Sequence, residues 1–520
     1  MIISTDRRKI VLNLHNPERV THVIPSAKIL AYKGRDLVAI PHKIEETQVL
    51  RNLGFKVPSP VEYHYAWSGQ YTPFKAQLET TAFLTLHNRA FCLSAMGTGK
   101  SISTLWAYDY LKSVGSVRKM LVVSPLSTLE TTWANEIFRH FPDLTSSVIY
   151  GSKERRIKML NADADIYLIN HDGIKVMEKE IIARADIDVV VIDEIASFRN
   201  ASTDRWKAMH RVIAGRKRVW GLTGTPTPNQ PTDAWAQCRL LVPERVPKHA
   251  GAFRDLTMRQ LSQFKWIARD SATDTVASAM QPSIRFSREQ CIDLPPCLYT
   301  TRQAEMSPEQ KKAYREMVIS LSTELMYGQK NQSVLAVNEA IKVQKLVQIA
   351  SGVVYARDGT HVEVPSQSRV DEVVDIVEQA GSKVIVFVPY KGVLSFVARE
   401  LAKRYTVETL NGETSKAERD RIFKAFQHTS EPRVLVAQPA AMSHGLTLTS
   451  ASVIVWYAPV TSQETYSQAN ARITRPGQKL SQLIVHIQGS PIERKLYQRL
   501  QDKKTSEGLL LDMIRDQEDI

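Results

Sequence analysis

Residues 94–101 read SAMGTGKS, and this stretch decides how the chain around it folds. A strand-like run, AFCL, precedes it and a helix-like stretch follows, so a glycine-rich turn joins a strand to a helix. Such a turn lets successive backbone N–H groups surround phosphate oxygens, while a lysine reaches the β- and γ-phosphates and a hydroxyl holds Mg2+. The residues predicted for these roles are Met96, Gly97, Thr98, Gly99, Lys100 and Ser101.

The strict phosphate-loop pattern has glycine at the position of Ser94, and for this stretch alone a plain turn before a helix is the alternative. A second signal, DVVVIDEIASF at 188–198, strengthens the phosphate-loop interpretation. Its hydrophobic strand delivers Asp193 and Glu194 to the carboxyl end, where α/β proteins bind ligands. We expect Asp193 to share a Mg2+ ion with Ser101, and Glu194 to polarise the attacking water.

Two further stretches of the same unit carry polar residues after a strand. VVSPLSTLETTW at 122–133 could present Ser124, Pro125, Thr128 and Trp133 to a nucleic-acid backbone. The alternative is an ordinary strand-to-helix loop with Trp133 in the core. WGLTGTPTPN at 220–229 has threonines that suit a relay between sites, and a tight turn is the alternative.

The alternation of β-branched runs with helical stretches occurs twice, which is typical of two α/β units with parallel sheets. Short strand-like runs and a helix form a small α+β module before the first unit. From about residue 243 to 286 we expect a polar, helical region without strands. In the second unit, QANARITRPGQ places Arg472 and Arg475 three residues apart, on one face if the segment is helical. Both could face charge that develops on a γ-phosphate, or simply form a solvated basic helix end.

Composition limits the function classes. The 520 residues carry 68 Lys and Arg against 54 Asp and Glu, a net charge of +14 that favours a polyanionic partner, above all nucleic acid. The four cysteines are scattered, which argues against a disulfide framework or a zinc ribbon and indicates a reducing compartment. The start lacks the apolar run of a signal peptide, and no run reaches the length of a membrane span. We therefore expect a cytoplasmic protein.

Taken together, the motifs resemble superfamily two helicases, most closely the Swi/Snf-type branch of DNA translocases, over residues 70–490. The matching stretches are YTPFKAQ, MGTGKS, SPLSTLETTW, DEIASFRN, LTGTPTPN, VIVFVP, LNGETS, AAMSHGLTLT and QANARITRPGQ. The segment from 280 to 314 also resembles the one that joins the lobes in that branch. The compact inserts are similar to bacteriophage-encoded versions, which would place the protein in a bacterial host cytoplasm.

The resemblance implies two RecA-like lobes with ATP in the cleft between them. The implied domains are an accessory module at 1–65, lobe 1 at 66–243, a largely helical inter-lobe region at 244–350, lobe 2 at 351–500 and a charged tail at 501–520. It further implies that Gln77 recognises adenine, that Gly445 contributes to the nucleotide site, and that Arg472 and Arg475 act as arginine fingers. Asn170 and Thr447 are implied nucleic-acid contacts.

Several positions depart from the family pattern. Ala196 stands where relatives usually carry His or another polar residue, so a hydrogen bond that couples hydrolysis to DNA is absent or supplied elsewhere. Met442, Ser443, His444 and Thr447 differ from the usual glycine-rich run, and Thr474 and Pro476 replace the usual His and Ile. These departures concern coupling and subfamily, and they leave ATP binding intact.

The leading hypothesis is an ATP- and Mg2+-dependent DNA translocase that remodels duplex or branched DNA, for example by fork or junction processing, branch migration or annealing. Other replication or recombination proteins are possible partners. The alternatives are a strand-separating helicase on DNA or RNA, and a nucleic-acid-binding scaffold without motor activity. A restriction motor would need a nuclease partner. The presence of Lys100, Asp193, Glu194, Arg472 and Arg475 together favours an active enzyme over a scaffold.

Overall fold

The chain divides into two compact units, one formed by residues 1–259 and 267–292 and the other by 260–266 and the chain from 293 onward. In this computed structural model the described residues are 1–502 without 7, 33, 70–71, 229, 263–264, 292–294, 296, 328–340, 342, 356–360, 443–447 and 475–477. Within that part of the chain, no helix combines the length and apolar character needed to cross a membrane.

The first unit begins with a four-stranded antiparallel sheet. Its strands are β1 (Ile2–Ser4), β2 (Lys9–Asn13), β3 (Lys28–Tyr32) and β4 (Arg35–Pro41), in the order β1-β2-β4-β3. Ile10, Leu12, Val38 and Ile40 point to one side because strand residues alternate, and they pack with Leu50 of the helix Ile44–Asn52. The strands and the helix predicted for this segment are therefore present.

The main sheet of the first unit has seven strands, and neighbouring strands pair in parallel. The strands between residues 89 and 284 are β5 (Arg89–Cys92), β6 (Lys119–Ser124), β7 (Ser146–Ile149), β8 (Ile166–Asn170), β9 (Ile187–Asp193), β10 (Arg218–Leu222), β11 (Met258–Ser262), β12 (Lys265–Ala268) and β13 (Ser283–Ile284). All of them except β11 and β12 belong to the main sheet. The sheet order is β13-β5-β10-β9-β6-β8-β7. Parallel strands place all their carboxyl ends on one edge, and the predicted motifs follow the strands at that edge.

Helices cover both faces of this sheet. In β9, Val190 and Ile192 belong to one core, while Val189 and Val191 belong to the core on the opposite face. This two-sided burial explains the continuous apolar run of the strand. The helices of the first unit are Glu18–Val23, Ile44–Asn52, Val61–His64, Lys75–Leu86, Lys100–Ser113, Asn135–His140, Lys153–Asn161, Gly173–Ala183, Asp204–Val212, Asp233–Leu241, Ala250–Thr257, Ala272–Ala279 and Arg288–Cys291, with a π-helical turn Leu129–Ala134 and 3-10 turns Ile195–Phe198 and Pro243–Arg245.

The expectation that residues 243–286 lack strands is wrong. Besides helices, this region contains β11, β12 and β13. β13 is only two residues long and becomes a strand through its partner: the N–H groups of Phe91 and Leu93 donate to the carbonyls of Pro282 and Ile284 at 3.0 and 2.8 Å. A strand defined by pairing rather than by apolar pattern leaves no signal in the sequence.

The second unit is built on a six-stranded parallel sheet in the order β14-β21-β20-β17-β19-β18. The strands of this unit are β14 (Cys297–Gln303), β15 (Val353–Tyr355), β16 (His361–Glu363), β17 (Lys383–Phe387), β18 (Val407–Leu410), β19 (Val434–Ala437), β20 (Ala451–Trp456) and β21 (Gln482–Gln488). Its helices are Pro308–Tyr327, Gln367–Gln379, Lys391–Leu401, Lys416–His428, Gln463–Asn470 and Pro491–Gln501, with a 3-10 turn Pro439–Met442. Two doubly covered parallel sheets confirm the predicted α/β class.

Candidate nucleotide-binding and catalytic site

The glycine-rich turn between β5 and the helix Lys100–Ser113 closes around a lysine. Gly97 and Gly99 both have φ of 81°, a left-handed conformation that bends the chain into the helix. The ammonium of Lys100 donates to the carbonyls of Ser94 at 2.9 Å and Ala95 at 3.2 Å. The positive charge therefore lies within the turn, at the N-terminus of the helix, where phosphate oxygens bind.

Serine fits at position 94 because its backbone is not left-handed. Among the described residues, the non-glycine residues with positive φ are Arg8 and Glu194. The Ser94 side chain is buried, and its hydroxyl accepts the N–H of Phe286 at 3.1 Å. Ser94, the residue that departs from the strict pattern, thus links the phosphate turn by a hydrogen bond to the segment that follows β13.

Gln77 lies directly against the turn. Its Oε1 accepts the N–H of Phe74 at 3.2 Å, which fixes the side chain at the start of the helix Lys75–Leu86. A Cβ on Gly99 would collide with the Nε2 atom of Gln77. Only glycine allows this close approach, so the structure brings the predicted adenine-recognising residue next to the predicted phosphate turn.

Asp193 ends β9, and its carboxylate is held by three donors. Oδ2 accepts the hydroxyl of Ser124 and the indole N–H of Trp133, both at 2.9 Å. Oδ1 accepts the N–H of Glu194 at 3.1 Å. A charge held from several sides in this way is preorganised, which suits a metal-binding carboxylate.

Ser124, Thr128 and Trp133 need a correction relative to their predicted role. Their side chains are buried, Ser124 and Trp133 completely, so they do not present polar groups to a nucleic acid. Ser124 and Trp133 bond Asp193, and Thr128 bonds the carbonyl of Pro125 at 2.9 Å. Trp133 is a core residue, as the alternative interpretation held, and its indole N–H also supports the acidic site.

Glu194 follows Asp193 and has the left-handed φ of 52°, a rare conformation for a residue with a side chain. Its Oε2 accepts the hydroxyl of Thr223, at the end of β10, over 3.2 Å. The next residue, Gly224, packs so closely on the phosphate turn that a Cβ there would lie 3.3 Å from Cγ of Met96. The loop that begins with Thr223 and Gly224 therefore lies beside both the phosphate turn and the acidic pair.

His171 is a residue that sequence reasoning missed. It follows β8, is 8% exposed, and its Nε2 donates to the backbone carbonyl of Asp193 at 2.8 Å. Burial lowers the pKa of this imidazole, which favours the neutral form of the ring. Only its place at the end of a strand beside β6 could have pointed to it, because no spacing rule links residue 171 to residue 193.

The remaining predicted residues are spread along the chain. Asn170 lies at the carboxyl end of β8, and its Oδ1 accepts a hydrogen bond from Nη1 of Arg156 at 3.2 Å. In the second unit, Arg472 is 2% exposed and lies beyond the helix Gln463–Asn470, with its Nε donating to the carbonyl of Gln468 at 3.1 Å. The finger role of Arg472 stays a prediction. Arg475, Gly445 and Thr447 lie outside the described residues.

The oxygen donors of the first unit fit Mg2+. A hydroxyl on Ser101, in the first turn of the helix Lys100–Ser113, and the carboxylate of Asp193 are the hard ligands this ion prefers. The three donors to Asp193 satisfy part of its charge and leave a lone pair on Oδ1 for a metal. These two residues could hold Mg2+ together with the phosphates of a nucleotide.

Several known proteins are similar to this chain. The chain is 25% identical over 406 residues to the SWI/SNF-related matrix-associated actin-dependent regulator of chromatin subfamily A-like protein 1 of Xenopus laevis, which covers 76% of this chain and 40% of the relative. It is 25% identical over 447 residues to protein p41 of Acyrthosiphon pisum secondary endosymbiont phage 1, covering 81% and 94%. The solved Sulfolobus solfataricus SWI2/SNF2 ATPase core in complex with dsDNA has 22% identity and a TM-score of 0.42, covering 87% of this chain and 94% of that one.

Family models match both units. The helicase conserved C-terminal domain matches residues 368–477, and the SNF2-related domain matches residues 87–352, more than half of the chain. The chain spans 40% of the length of the Xenopus laevis relative and 39% of that of its Xenopus tropicalis counterpart. The resemblance predicted from the motifs is confirmed, and the chain belongs to the SNF2-related family, with the ATPase/helicase core of that family.

Proposed function

We propose that this chain hydrolyses ATP and uses the energy to move along DNA and remodel duplex or branched structures. The observation that carries the proposal is the convergence of three loops at the carboxyl edge of one sheet. The phosphate turn, the Asp193–Glu194 pair and the loop that begins with Thr223 are joined there by the Thr223–Glu194 hydrogen bond and by the packing of Gly224 on Met96.

The residues divide the work of phosphoryl transfer. Gln77 lies where a base attached to phosphates in the turn could be recognised, and Lys100 would leave the carbonyls of Ser94 and Ala95 to neutralise phosphate charge. Ser101 and Asp193 would hold Mg2+, which when bound stabilises negative charge on the phosphates. Glu194, held by Thr223, would accept the proton of the attacking water.

DNA as the partner is supported by charge. The net charge is +14, and the guanidinium of Arg156 lies against Asn170 at the carboxyl edge of the first sheet. Arg155 and Lys158 are exposed on the helix Lys153–Asn161, and Arg156 joins this helix to Asn170. Cations in this arrangement suit contacts with a phosphate backbone.

The N-terminal sheet could contribute recognition of branched DNA. Lys9, Lys28 and Arg35 are exposed on its strands. Deleting residues 1–65 would also remove Ile44 and Val61 from the core of the main sheet, so charge reversal is the cleaner test. The triple change of these three cations to Glu should weaken binding to a fork more than to linear duplex. An equal effect on both would reject a role in structure recognition.

Displacement of a triplex-forming strand tests the proposed movement. The protein would be given ATP, Mg2+ and a linear duplex that carries a labelled third strand, with Lys100→Ala as the control. Release of the third strand by the wild-type protein alone, with the duplex left paired, supports translocation. Separation of the duplex itself would favour a strand-separating helicase, and ATP binding without release or hydrolysis would favour a scaffold.

A further inference from the structure

We infer that His171 is a positioning residue for the Asp193–Glu194 pair: its imidazole holds the peptide that joins the two acidic residues and so fixes the direction of the Glu194 carboxylate. The inference rests on the proposed hydrolysis of ATP at this site. His171 would touch neither nucleotide nor water, and would act through the backbone of Asp193.

Two hydrogen bonds lock the plane of this peptide. Nε2 of His171 donates to the carbonyl oxygen of Asp193 at 2.8 Å. On the other side of the same peptide, the N–H of Glu194 donates to Oδ1 of Asp193 at 3.1 Å. Rotation of the peptide would break both bonds at once, so the carbonyl cannot turn without losing its buried donor.

This peptide plane sets the backbone of Glu194. The φ of 52° at Glu194 is one that a non-glycine residue adopts only when the surroundings enforce it. The hydrogen bond from His171 to the Asp193 carbonyl enforces this φ. Without it the peptide could flip, which would return Glu194 to an ordinary negative φ and turn its side chain in another direction. Thr223 then fixes the end of the side chain, with its hydroxyl 3.2 Å from Oε2.

His171 is itself held in place. Its ring meets Phe198 edge-on, with ring centroids 5.3 Å apart, and Phe198 is 1% exposed. The guanidinium of Arg205 lies 5.3 Å from the centroid of the Phe198 ring and donates to the carbonyl of Ser197 at 2.8 Å. The imidazole is therefore braced against the turn Ile195–Phe198 that follows Glu194, which leaves it little freedom to move away from the carbonyl.

The phosphate turn does not depend on His171, because Lys100 bonds Ser94 and Ala95, and Gln77 bonds Phe74. Loss of the imidazole donor should therefore lower the rate of hydrolysis and spare nucleotide affinity. A role in packing alone would instead reduce rate, affinity and thermal stability together. The ratio of these effects separates a positioning residue from a structural one.

The test compares His171→Phe, which keeps an aromatic ring but has no donor, with His171→Gln, whose amide N–H can reach the same carbonyl. We expect His171→Phe to lower kcat on the order of 10- to 100-fold, as a misplaced catalytic group does, with KM for ATP and the Kd of a non-hydrolysable ATP analogue within about twofold. His171→Gln should restore most of the rate. Should His171→Phe fail to fold, His171→Asn replaces it, because its shorter amide cannot reach the carbonyl.

His87→Phe is the matched control. The imidazole of His87 also bonds a backbone carbonyl, that of Phe83 at 2.7 Å, but it lies before β5, at the opposite edge of the sheet. This variant should hydrolyse ATP at the wild-type rate. Two results with an active wild type would overturn this inference and leave the proposed function standing. One is a His171→Phe protein as active as the wild type, and the other is a His171→Gln protein as slow as His171→Phe. A wild type that hydrolyses no ATP on any DNA would overturn the proposed function as well.

Discussion

The hydroxyl of Thr223 donates a hydrogen bond to Oε2 of Glu194 over 3.2 Å, and Thr223 is fully buried. The two residues follow neighbouring strands, β10 and β9, whose register pairs Leu222 with Asp193. Thr223 also accepts the N–H of Thr225 at 3.2 Å. The carboxylate proposed to activate water is thus hydrogen-bonded to a loop that packs on the phosphate turn. A shift of the phosphate turn would therefore also shift this carboxylate.

Thr223→Val should slow hydrolysis by roughly 10- to 150-fold, because a hydrogen bond to a charged group contributes about 1.5–3 kcal/mol and valine keeps the shape of threonine. Steady-state kinetics with saturating DNA would measure the change in kcat. Thr257→Val is the control, since Thr257 is equally buried but bonds the carbonyl of Phe253 within its own helix. A Thr223→Val protein as fast as this control would show that the bond is not used in hydrolysis.

Glu194→Gln should bind ATP and DNA but hydrolyse ATP roughly 10²–10⁴-fold more slowly, the range expected when a general base is removed. Glutamine can still accept the Thr223 hydroxyl, so the loop should keep its position. Fluorescent-nucleotide binding and phosphate release on one protein preparation would check both halves of the prediction. Undiminished turnover would remove Glu194 as the base.

Ser124→Ala tests whether this residue supports the metal site rather than DNA. Loss of its 2.9 Å bond to Asp193 should raise the Mg2+ concentration for half-maximal hydrolysis by about tenfold, a usual effect of removing a partner of a metal ligand. DNA affinity should stay unchanged. Ser113→Ala, which removes only a bond to the carbonyl of Tyr110, is the control. Weaker DNA binding with normal Mg2+ dependence would restore the original nucleic-acid assignment.

Arg369→Leu should destabilise the second unit by about 3–5 kcal/mol, because it leaves a buried carboxylate without its partner. Arg369 is 2% exposed, and its Nη2 lies 2.9 Å from Oε2 of Glu493, which is fully buried. Arg399→Leu breaks an exposed pair with Glu363 and should cost about 0–1 kcal/mol. Urea denaturation followed by circular dichroism would compare them, and equal losses would contradict the buried-pair account.

The sequence predicted the parts of the fold that carry a strong local pattern. β5, β9 and β10 each contain an apolar run that is buried on both faces, and each leads into a recognisable loop. Burial on two sides produces that pattern whatever the rest of the chain does. The phosphate turn was equally predictable, because its two glycines and Lys100 stand at the spacing that a phosphate-binding turn requires.

What the sequence could not predict depends on partners distant in the chain. Ser124 and Trp133 carry ordinary polar groups, and only the folded sheet shows that these groups point inward to Asp193. His171 follows β8 and meets Asp193 of β9 across the intervening strand β6, and Ser283–Ile284 is a strand only because β5 lies beside it. Arg472 lies past the end of its helix, a boundary that the sequence pattern does not mark.

The most direct test of the central claim is the rate of ATP hydrolysis by the wild-type protein without nucleic acid and with single-stranded DNA, linear duplex, a fork, a four-way junction and RNA. Lys100→Ala serves as the blank, because removing the cation at the phosphates should cost roughly 10²–10³-fold in rate, and Lys75→Ala, a change at an exposed surface lysine, serves as the control. We predict that duplex or branched DNA strongly stimulates ATP hydrolysis by the wild type and by the Lys75→Ala protein, and does not stimulate hydrolysis by the Lys100→Ala protein. Stimulation only by single strands or RNA, or equal rates in the Lys100→Ala protein, would contradict the account.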